Sequence, residues 1–238
     1  MKTRIPIDVP ASAPSGSRPG RAWVRERIQG LILDGVLRPG ARIRQLQLAE
    51  RFGVSQGVVR EALLELQAFG LVETVHNRGA FVSRITAQRL LESLDVRAVL
   101  EGLAARLCAE HTTRAQVREL DEIAGQVYAL AMEHDPAGMT LLDRRLHDRI
   151  IELSGNATIG RLAAEHRVLG LIIRVGRDPQ VVLDEHRAVL RAIEEGRGER
   201  AERLMRRHIC AVKDALRERL ARGDFVPEWV ADAQSWPL

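Results

Sequence analysis

The chain has 238 residues, of which 45% are hydrophobic and 3% aromatic, with 36 basic side chains against 32 acidic ones. This length exceeds the usual size of a single domain, and the apolar content excludes a wholly disordered chain. The scarcity of aromatic residues argues against a stacking platform for single-stranded nucleic acid. Residues 1–84 hold 13 basic and 7 acidic side chains, whereas the remainder holds 23 and 25. Positive charge is therefore concentrated in the N-terminal part, as binding to phosphates favours.

The sequence predicts no membrane span and no secreted form. Cys108 and Cys210 show neither metal-type nor disulfide spacing and fall inside apolar helical patterns, which favours buried, reduced thiols. A run of about 18 apolar residues is absent. The N-terminus also lacks the hydrophobic region of a signal peptide. We therefore expect a soluble, cytoplasmic protein with no membrane partner.

Residues 1–20 contain four prolines among Ser, Ala and Gly without any periodic pattern, which predicts a disordered tail. A helix is predicted to begin at Arg21 and to end near Gly35. Its apolar side chains lie on one side, at Val24, Ile28, Leu31 and Ile32. This helix should pack on the back of the elements that follow.

Two apolar runs at helical spacing follow, separated by Gly53-Val54-Ser55. The first run contains Leu46, Leu48, Ala49 and Phe52, and the second contains Val58, Val59, Ala62, Leu63, Leu66 and Phe69. Ser55 suits the N-cap of the second helix, and Gly70 suits a left-handed C-terminal stop. Two short helices joined by a tight turn predict a helix-turn-helix, whose second helix can enter a DNA major groove. An ordinary helical hairpin is the alternative.

A β-hairpin is predicted directly after Gly70. Residues 71–75 and 80–83 are strand-like, and the turn between them, His76-Asn77-Arg78-Gly79, bears Asn and Gly. Such a hairpin beside a helix-turn-helix is a plausible wing.

Beyond a short connector, the rest of the chain is predicted to be helical. The apolar spacing indicates one helix to about His111, a second capped by Thr112 or Thr113, and a break at 135–138. Four further helices are predicted at about 139–154, 157–175, 179–195 and 199–222. The predicted fold is thus mainly α, with a winged helix-turn-helix domain at 21–84, an all-α bundle at 85–224 and a tail at 225–238.

Polar residues interrupt the apolar faces of three predicted bundle helices. Asp143 and His147 lie four residues apart on one face, and His186 and His208 each lie at the centre of an apolar stripe. Burying a carboxylate and three imidazoles without compensation is costly, so together they can bind a divalent metal. Each histidine by itself is more often a hydrogen-bonded core residue. His166 also sits on an apolar face, so position does not select the ligands.

The N-terminal motifs resemble the winged-helix domain of GntR-type bacterial transcription regulators. The resemblance covers about residues 22–83 and runs in unbroken order through ILDGVLRPGARI, LAERFGVS, VREALLELQAFGLVE and NRGAFV. It implies contacts with double-stranded operator DNA from Arg60 and from the wing residues Arg78 and Gly79. We extend the expected contact set to the start of the second helix and the wing tip, at Ser55, Gln56, Gly57 and His76.

An arginine at position 60 can donate two hydrogen bonds to a guanine base or bind a phosphate. A salt bridge of Arg60 with Glu61 or Glu65 is the alternative. The chain departs from the resembled family at Gln56-Gly57-Val58, where Arg-Thr-Pro or similar is usual. Glutamine favours adenine if it reads a base, so we expect an altered base preference.

The bundle resembles the C-terminal ligand-binding domain of the FadR-like branch, often called FCD. The resemblance rests on Asp143-x3-His147, Ser154-Gly155-Asn156, Glu185-His186 and Arg207-His208. Metal-binding members of that branch have Asp, His, His and His at these positions, which implies Asp143, His147, His186 and His208 as ligands. Zinc is favoured by the nitrogen and oxygen donors, and nickel or manganese also fits.

The resemblance implies a small carboxylate effector beside the metal. Arg97 and Arg174 interrupt inward patterns and can each pair bidentately with a carboxylate, and Asn156 can donate to it. Surface salt bridges are the alternative for the arginines, and helix capping is the simpler role for Asn156.

These features predict a homodimeric, effector-responsive transcription regulator, usually a repressor, that is not an enzyme. A metal-dependent hydrolase built in a helical bundle is the alternative. No carboxylate outside the ligand set is clearly placed as its general base, however, and adjacent Glu185 and His186 do not give the Glu-x-x-His spacing of a di-iron site.

Overall fold

The computed structural model describes residues 19–33, 36–84, 86–170 and 175–223. These residues fall into two compact units, the first ending at Arg84 and the second beginning at Thr86. The predicted tails at 1–20 and 225–238 lie outside the described residues, apart from 19 and 20. So do Gly35, where the first helix was predicted to end, and Arg174.

The first unit contains three helices, α1 (Arg21–Leu33), α2 (Gln45–Phe52) and α3 (Gln56–Ala68). The Ser55 hydroxyl accepts a hydrogen bond from the Val58 N–H and caps α3, as its sequence position predicts. Gly53 and Gly70 follow α2 and α3 with φ of 65° and 70°. A left-handed conformation of this kind ends a helix and is accessible to glycine without strain. The predicted helix-turn-helix is therefore present.

The wing is a three-stranded antiparallel sheet formed by β1 (Arg42–Ile43), β2 (Val72–Val75) and β3 (Gly79–Val82). Their order is β1-β3-β2, with Glu73 opposite Phe81 in the hairpin. The hairpin was predicted, but the pairing of β1 with β3 was not. A two-residue strand has too few side chains to show an alternating pattern.

The core of the first unit lies between α1 and the helix-turn-helix. Val24, Ile28 and Ile32 of α1 are fully buried, and Leu66 of α3 is buried with them. Glu65 of α3 forms ion pairs with Arg21 and Arg25 of α1, and these pairs link the two helices. Leu46 was counted with the apolar face of α2 but is 60% exposed, because it lies in the first turn on the outer side.

The second unit is all helical in its described residues. It contains α4 (Ala87–His111), α5 (Arg114–Met132), α6 (Pro136–Leu153), α7 (Ala157–Gly170), α8 (Pro179–Glu194) and α9 (Gly198–Arg222). Together with the first unit, this confirms the predicted mainly α fold. None of the described helices is long and apolar enough to cross a membrane.

Helix α6 begins three residues earlier than predicted. The break at 135–138 was expected to exclude residues 136–138 from the helix, but Pro136 occupies its first turn and Asp135 caps it through the Gly138 N–H. Proline is favoured at this position because its missing N–H has no intrahelical partner there. The same Asp-Pro arrangement starts α8 at Asp178 and Pro179, as predicted.

The long helices α4 and α9 pack along each other through small residues. A Cβ added at Gly102 would lie 2.7 Å from Cγ of Arg206, and one at Gly198 would lie 3.0 Å from the Arg106 carbonyl oxygen. Glycine at these positions therefore permits the close approach of the two helices. This packing brings the inward faces of α4 and α9 beside those of α6 and α8.

The prediction that both cysteines are buried is wrong for one of them. Cys108 is buried, as expected, but Cys210 is exposed on α9. On α4, the apolar side chains of Val96 and Leu103 are 39% and 37% exposed.

Candidate metal centre and DNA-binding face

The four residues predicted as metal ligands converge in the interior of the second unit. Asp143 and His147 lie one turn apart on α6, His186 lies on α8 and His208 on α9. One potential ligand atom from each residue lies within 4.8 Å of those from the other three. The structure thus places together residues that are up to 65 positions apart in the sequence.

The imidazoles are closely packed and deeply buried. Side chains of His147, His186 and His208 are 3%, 2% and 3% exposed, and the rings of His186 and His208 lie 4.6 Å apart between centroids. Nε2 of His186 lies 3.4 Å and Nε2 of His147 lies 3.9 Å from the carboxylate of Asp143. Neither of these Nε2 atoms has a hydrogen-bond partner within the described residues.

Buried polar atoms are normally hydrogen-bonded, so unpartnered imidazole nitrogens that face a carboxylate indicate a missing partner. A divalent cation meets this requirement, because it accepts the lone pairs of all three rings and neutralises the carboxylate. Three nitrogens and one oxygen form a donor set typical of zinc and also suited to other transition metals. The residues present therefore fit a divalent metal ion.

A glutamate on α4 contacts the imidazole ring of His147. Nδ1 of His147 lies 2.6 Å from Oε2 of Glu101, and Nε of Arg97 donates to Oε1 of Glu101 at 2.7 Å. The His147 contact is short but poorly aligned, since neither of its two atoms has a hydrogen bond of good geometry. Burial raises the pKa of Glu101, but Arg97 and His147 lower it more, so its pKa lies well below the ordinary value.

A second glutamate supports His208 in the same way. Nδ1 of His208 lies 2.8 Å from Oε2 of Glu185, while Arg177 donates two hydrogen bonds to the Glu185 carboxylate, at 2.8 and 2.6 Å. Burial raises the pKa of Glu185, but hydrogen bonds from His208 and Arg177 lower it to about 2. An ionised Glu185 can only accept, so Nδ1 of His208 carries the proton and its Nε2 is left as a ligand atom.

Two of the three histidines are held in the neutral form that ligation requires. Burial and the neighbouring His208 lower the pKa of His186 to about 3. Burial also lowers the pKa of His208, although Glu185 opposes this. Burial lowers the pKa of His147 as well, but the interactions with Glu101 and the charge of Asp143 together outweigh it, and the net shift is upward. A metal that binds His147 through Nε2 therefore competes with protonation of the ring.

A cavity of about 120 Å³ lies beside the four side chains and is lined by residues from α4, α5, α6, α8 and α9. Arg97, predicted to bind an effector, lines it, and its two terminal nitrogens remain available beside the bond from Nε to Glu101. Asn156 does not line this cavity; its Oδ1 accepts hydrogen bonds from the Thr158 and Ile159 N–H groups and caps α7. Arg174, the third predicted effector residue, lies outside the described residues.

Sequence reasoning did not identify Glu101 and Arg177 as parts of this site. Glu101 lies four residues after Arg97 on one helix, a spacing usually read as an exposed ion pair. The signal that the sequence did contain was that Arg97 and Glu101 both lie on the inward face of α4. Arg177 precedes α8 and has no periodicity that reveals its orientation.

Six of the seven predicted DNA-contacting residues are exposed, at the start of α3 and at the tip of the wing. Ser55, Gln56, Gly57 and Arg60 are exposed in the first two turns of α3, and His76 and Arg78 are exposed at the wing tip. Gly79 has φ of 101°, a conformation that requires glycine. The structure thus presents the start of α3 and the tip of the wing to solvent.

Arg60 forms no ion pair with any residue in the described part of the chain. Glu65, one of the partners considered for it, is instead bound to Arg21 and Arg25. Arg78 lies over the ring of Phe81, with 5.8 Å between its Cζ and the ring centroid. The guanidinium of Arg60 is therefore available to an external phosphate or base.

Two protein families match this chain. Residues 21–82 match the bacterial regulatory proteins of the gntR family, and residues 92–211 match the FCD domain. The chain therefore belongs to the GntR family of transcriptional regulators and carries an FCD domain, as the motif resemblances predicted. It is a DNA-binding transcriptional regulator.

Curated relatives carry names of the same kind. The "Probable D-xylose utilization operon transcriptional repressor" of Paenarthrobacter nicotinovorans is 30% identical over 79% of this chain and 84% of its own. An uncharacterized HTH-type transcriptional regulator from an unstable DNA locus of Streptomyces ambofaciens is 31% identical over 95% and 96%. HTH-type regulator LutR of Bacillus subtilis is 27% identical over 78% and 96%. These relatives are regulators and not enzymes, so the hydrolase alternative has no support.

Solved structures show the same architecture. GntR from Rhodococcus sp. RHA1 matches with 25% identity and a TM-score of 0.64, over 83% of this chain and 97% of that one. McbR/YncC of E. coli matches with a TM-score of 0.71 over 84% and 98%, and at 21% identity it shows the fold alone.

Proposed function

We propose that this regulator is a repressor that holds a divalent metal in its FCD domain and responds there to a small organic acid. The supporting observation is the convergence of Asp143, His147, His186 and His208, with unpartnered Nε2 atoms on His147 and His186. Zinc is our preferred metal, and nickel or manganese suits the same donors. The metal, when bound, supplies a positive centre for one oxygen of a carboxylate.

The chain's own residues supply the rest of the effector site. Arg97 lines the cavity and has terminal nitrogens that can donate to the second carboxylate oxygen. Glu101 and Glu185 fix the rings of His147 and His208, so that a ligand meets a rigid polar surface. Since Asn156 caps a helix outside this cavity, it is not part of the proposed site.

We propose that the exposed start of α3 reads the operator while the wing contacts its backbone or minor groove. Arg60 provides the strongest contact, with Ser55, Gln56 and Gly57 beside it and His76, Arg78 and Gly79 on the wing. Glutamine at position 56 can form two hydrogen bonds with adenine. We also propose a cytoplasmic location, because the DNA partner lies in that compartment.

A homodimer is proposed because one winged helix buries too little DNA for high specificity, whereas two can read a palindrome. Helix α4 exposes Val96, Val99 and Leu103 at i, i+3 and i+7, which form one apolar stripe. This stripe suits a second copy of the chain. An effector changes operator binding only if it binds one arrangement of the dimer more tightly than the other.

Repression is proposed because two relatives are named repressors, one from Paenarthrobacter nicotinovorans and RspR from Escherichia coli. In this arrangement the unliganded dimer occupies its operator and effector binding releases it.

The test compares two variants of the metal-loaded protein. His147→Ala should lose the metal, measured by elemental analysis, and any response to acids, while unliganded operator binding persists. Arg60→Ala should keep the metal and lose operator binding in an electrophoretic mobility shift. Arg203→Ala, which changes an exposed arginine of α9, serves as the control.

The two variants also separate function from folding. Loss of both metal and DNA binding in either variant, with a lowered melting temperature, indicates unfolding. Wild-type protein that binds no divalent metal after titration with zinc, nickel or manganese would overturn the proposed effector site.

A further inference from the structure

The cavity beside the candidate metal ligands has a polar and an apolar side. Its charged side chains come from α4 and α6 and from Arg177 before α8. Helix α5 contributes no charge to the lining: its residues there are Ala124, Val127, Tyr128 and Ala131. The polar side therefore suits a charged group of a ligand, and the apolar side suits a hydrocarbon group.

The apolar side continues across α8 and α9. Val182 and Leu183 line the cavity one turn before His186, and Ile209 and Val212 line it on α9 beside His208. Because helical residues three and four apart share a face, a ligand bound at the histidines extends along these side chains. Apart from His186, His208 and Tyr128, the lining residues of α5, α8 and α9 are thus apolar.

The charged lining residues outside the metal set are already paired within the protein. Arg97 is bonded to Glu101 at 2.7 Å, Arg177 to Glu185 at 2.6 Å, and Arg144 lies 3.5 Å from Asp148. These pairs leave few donors and acceptors for additional polar groups of a ligand.

The uncharged polar lining is equally sparse within the described residues. The Thr140 hydroxyl donates to the Pro136 carbonyl oxygen at 2.7 Å and can only accept from a ligand, so the phenol of Tyr128 is the uncharged side-chain donor of the described lining. A polyhydroxylated ligand would bury several hydroxyls against aliphatic side chains without partners, which opposes binding.

The volume sets the size of the ligand's body. The cavity measures about 120 Å³, whereas an apolar protein cavity of roughly 150 Å³ holds a benzene molecule. A body of four to six carbon atoms is therefore near the upper size that this space accepts.

From these observations we infer that the effector is a small monocarboxylic acid with a compact apolar body, of the branched-chain or aromatic type, and not a sugar acid. Its carboxylate lies at the metal and Arg97, and its body lies against Val127, Val182 and Val212. The inference rests on the proposed function, because the carboxylate requires the metal site.

The experiment measures acid binding to the full-length, zinc-loaded protein by isothermal titration calorimetry. The probes are acetate, isovalerate, benzoate and gluconate, which share a carboxylate and differ in the rest of the molecule. Each buried methylene strengthens binding about fourfold, so isovalerate and benzoate should bind at least about tenfold more tightly than acetate. Gluconate should bind no more tightly than acetate.

Two adjacent valines on α8 provide a matched pair of variants. Val182 lines the cavity, whereas Val181 is 47% exposed and does not line it. Val182→Thr replaces a methyl group by a hydroxyl at nearly constant size, so it should weaken isovalerate several-fold and leave acetate unchanged. Val181→Thr should alter neither affinity.

The outcomes distinguish the apolar body of the ligand from the proposed effector site itself. Gluconate binding more tightly than isovalerate, or equal weakening of acetate and isovalerate by Val182→Thr, overturns the apolar-body inference alone. If none of the acids, acetate included, binds the zinc-loaded protein, both the inference and the proposed effector site are overturned.

Discussion

The two glutamates behind the histidines determine which ring nitrogen faces the centre. Glu101 contacts Nδ1 of His147 and Glu185 contacts Nδ1 of His208, so Nε2 of each ring points to the shared position. Each glutamate is in turn fixed by an arginine, Arg97 or Arg177. Carboxylate partners of this kind orient metal-binding imidazoles and increase their basicity.

Removing one of these carboxylates should weaken metal binding without unfolding the protein. Glu185→Gln retains the shape but loses the charge that holds His208 and Arg177, so we expect zinc affinity to fall about 10- to 100-fold. Competition with a chelator of known affinity measures this change. Asp184→Asn, at the exposed preceding position on α8, is the control and should leave the affinity unaltered.

The two cysteines should react at very different rates. Burial raises the pKa of Cys108 to about 11, and its Sγ donates to the Ile150 carbonyl oxygen, so it remains an inaccessible thiol at neutral pH. Cys210 is exposed on α9. We expect a disulfide reagent at pH 8 to label one thiol per native chain quickly. Cys210→Ser should abolish the fast reaction and Cys108→Ser should preserve it, the reverse pattern being inconsistent with this structure.

Side-chain patterns in the sequence pointed to the four candidate ligands because each interrupts an apolar helical face. They did not reveal Glu101, since its partner Arg97 lies one turn away and makes it resemble an exposed pair. The same patterns wrongly predicted that Cys210 is buried. Helical spacing shows that a residue lies near an apolar stripe, but it does not show how much of that stripe another helix covers.

At the level of helices, some glycines lie where two helices approach closely and others do not. Gly102 of α4 lies against Cγ of Arg206 on α9, so a methyl group there meets an atom that moves only if the Arg206 side chain changes rotamer. Gly125 of α5 has no heavy atom within 4 Å of an added Cβ.

The two glycines should therefore respond oppositely to alanine. Gly125→Ala should raise the free energy of unfolding by about 0.5–1 kcal/mol through better helix propensity. At Gly102 that gain is outweighed by overpacking of roughly 1–3 kcal/mol, so Gly102→Ala should lower stability by about 1 kcal/mol. Urea denaturation of metal-free protein measures both. Equal stabilisation by the two substitutions would show that α4 and α9 are not in close contact at Gly102.

Apolar periodicity and capping residues predicted most of the helices, and the errors lie at the helix ends. Thr113 forms the capping box with Gln116 that starts α5, while Pro136 was excluded from α6 because proline was taken as a breaker. Strand β1 was missed because its two residues gain their conformation from pairing with β3 and not from local preference.

At the scale of the whole molecule, the sequence predicts the faces of the helices but not which faces meet. His147, His186 and His208 come together only because α4, α6, α8 and α9 pack around one interior, and the pairing of helices is a tertiary property. Family resemblance supplied the missing association here, and the geometry of the described residues agrees with it. Nor did helical periodicity show that the stripe of Val96, Val99 and Leu103 lies on the outer face of α4.

The exposed stripe of α4 should also determine assembly. Helix α7 packs against α4 and exposes Leu162, so apolar surface is available on both helices. A charge at the centre of the stripe should prevent a second copy from covering it, because burying an unpaired carboxylate is strongly unfavourable. We expect Val99→Glu to convert the protein from dimer to monomer in sedimentation equilibrium.

The consequences of this change should be confined to functions that need two chains. Val99→Glu should bind one metal per chain like the wild type, since Val99 is exposed and lies on the opposite side of α4 from Glu101, which is buried. Its affinity for a palindromic operator should fall at least about 100-fold, because each half-site is then bound separately. Val181→Glu, at another exposed valine, should leave both assembly and operator binding unchanged. A Val99→Glu protein that remains dimeric would exclude this face of α4 as the interface and direct the search to other exposed apolar residues.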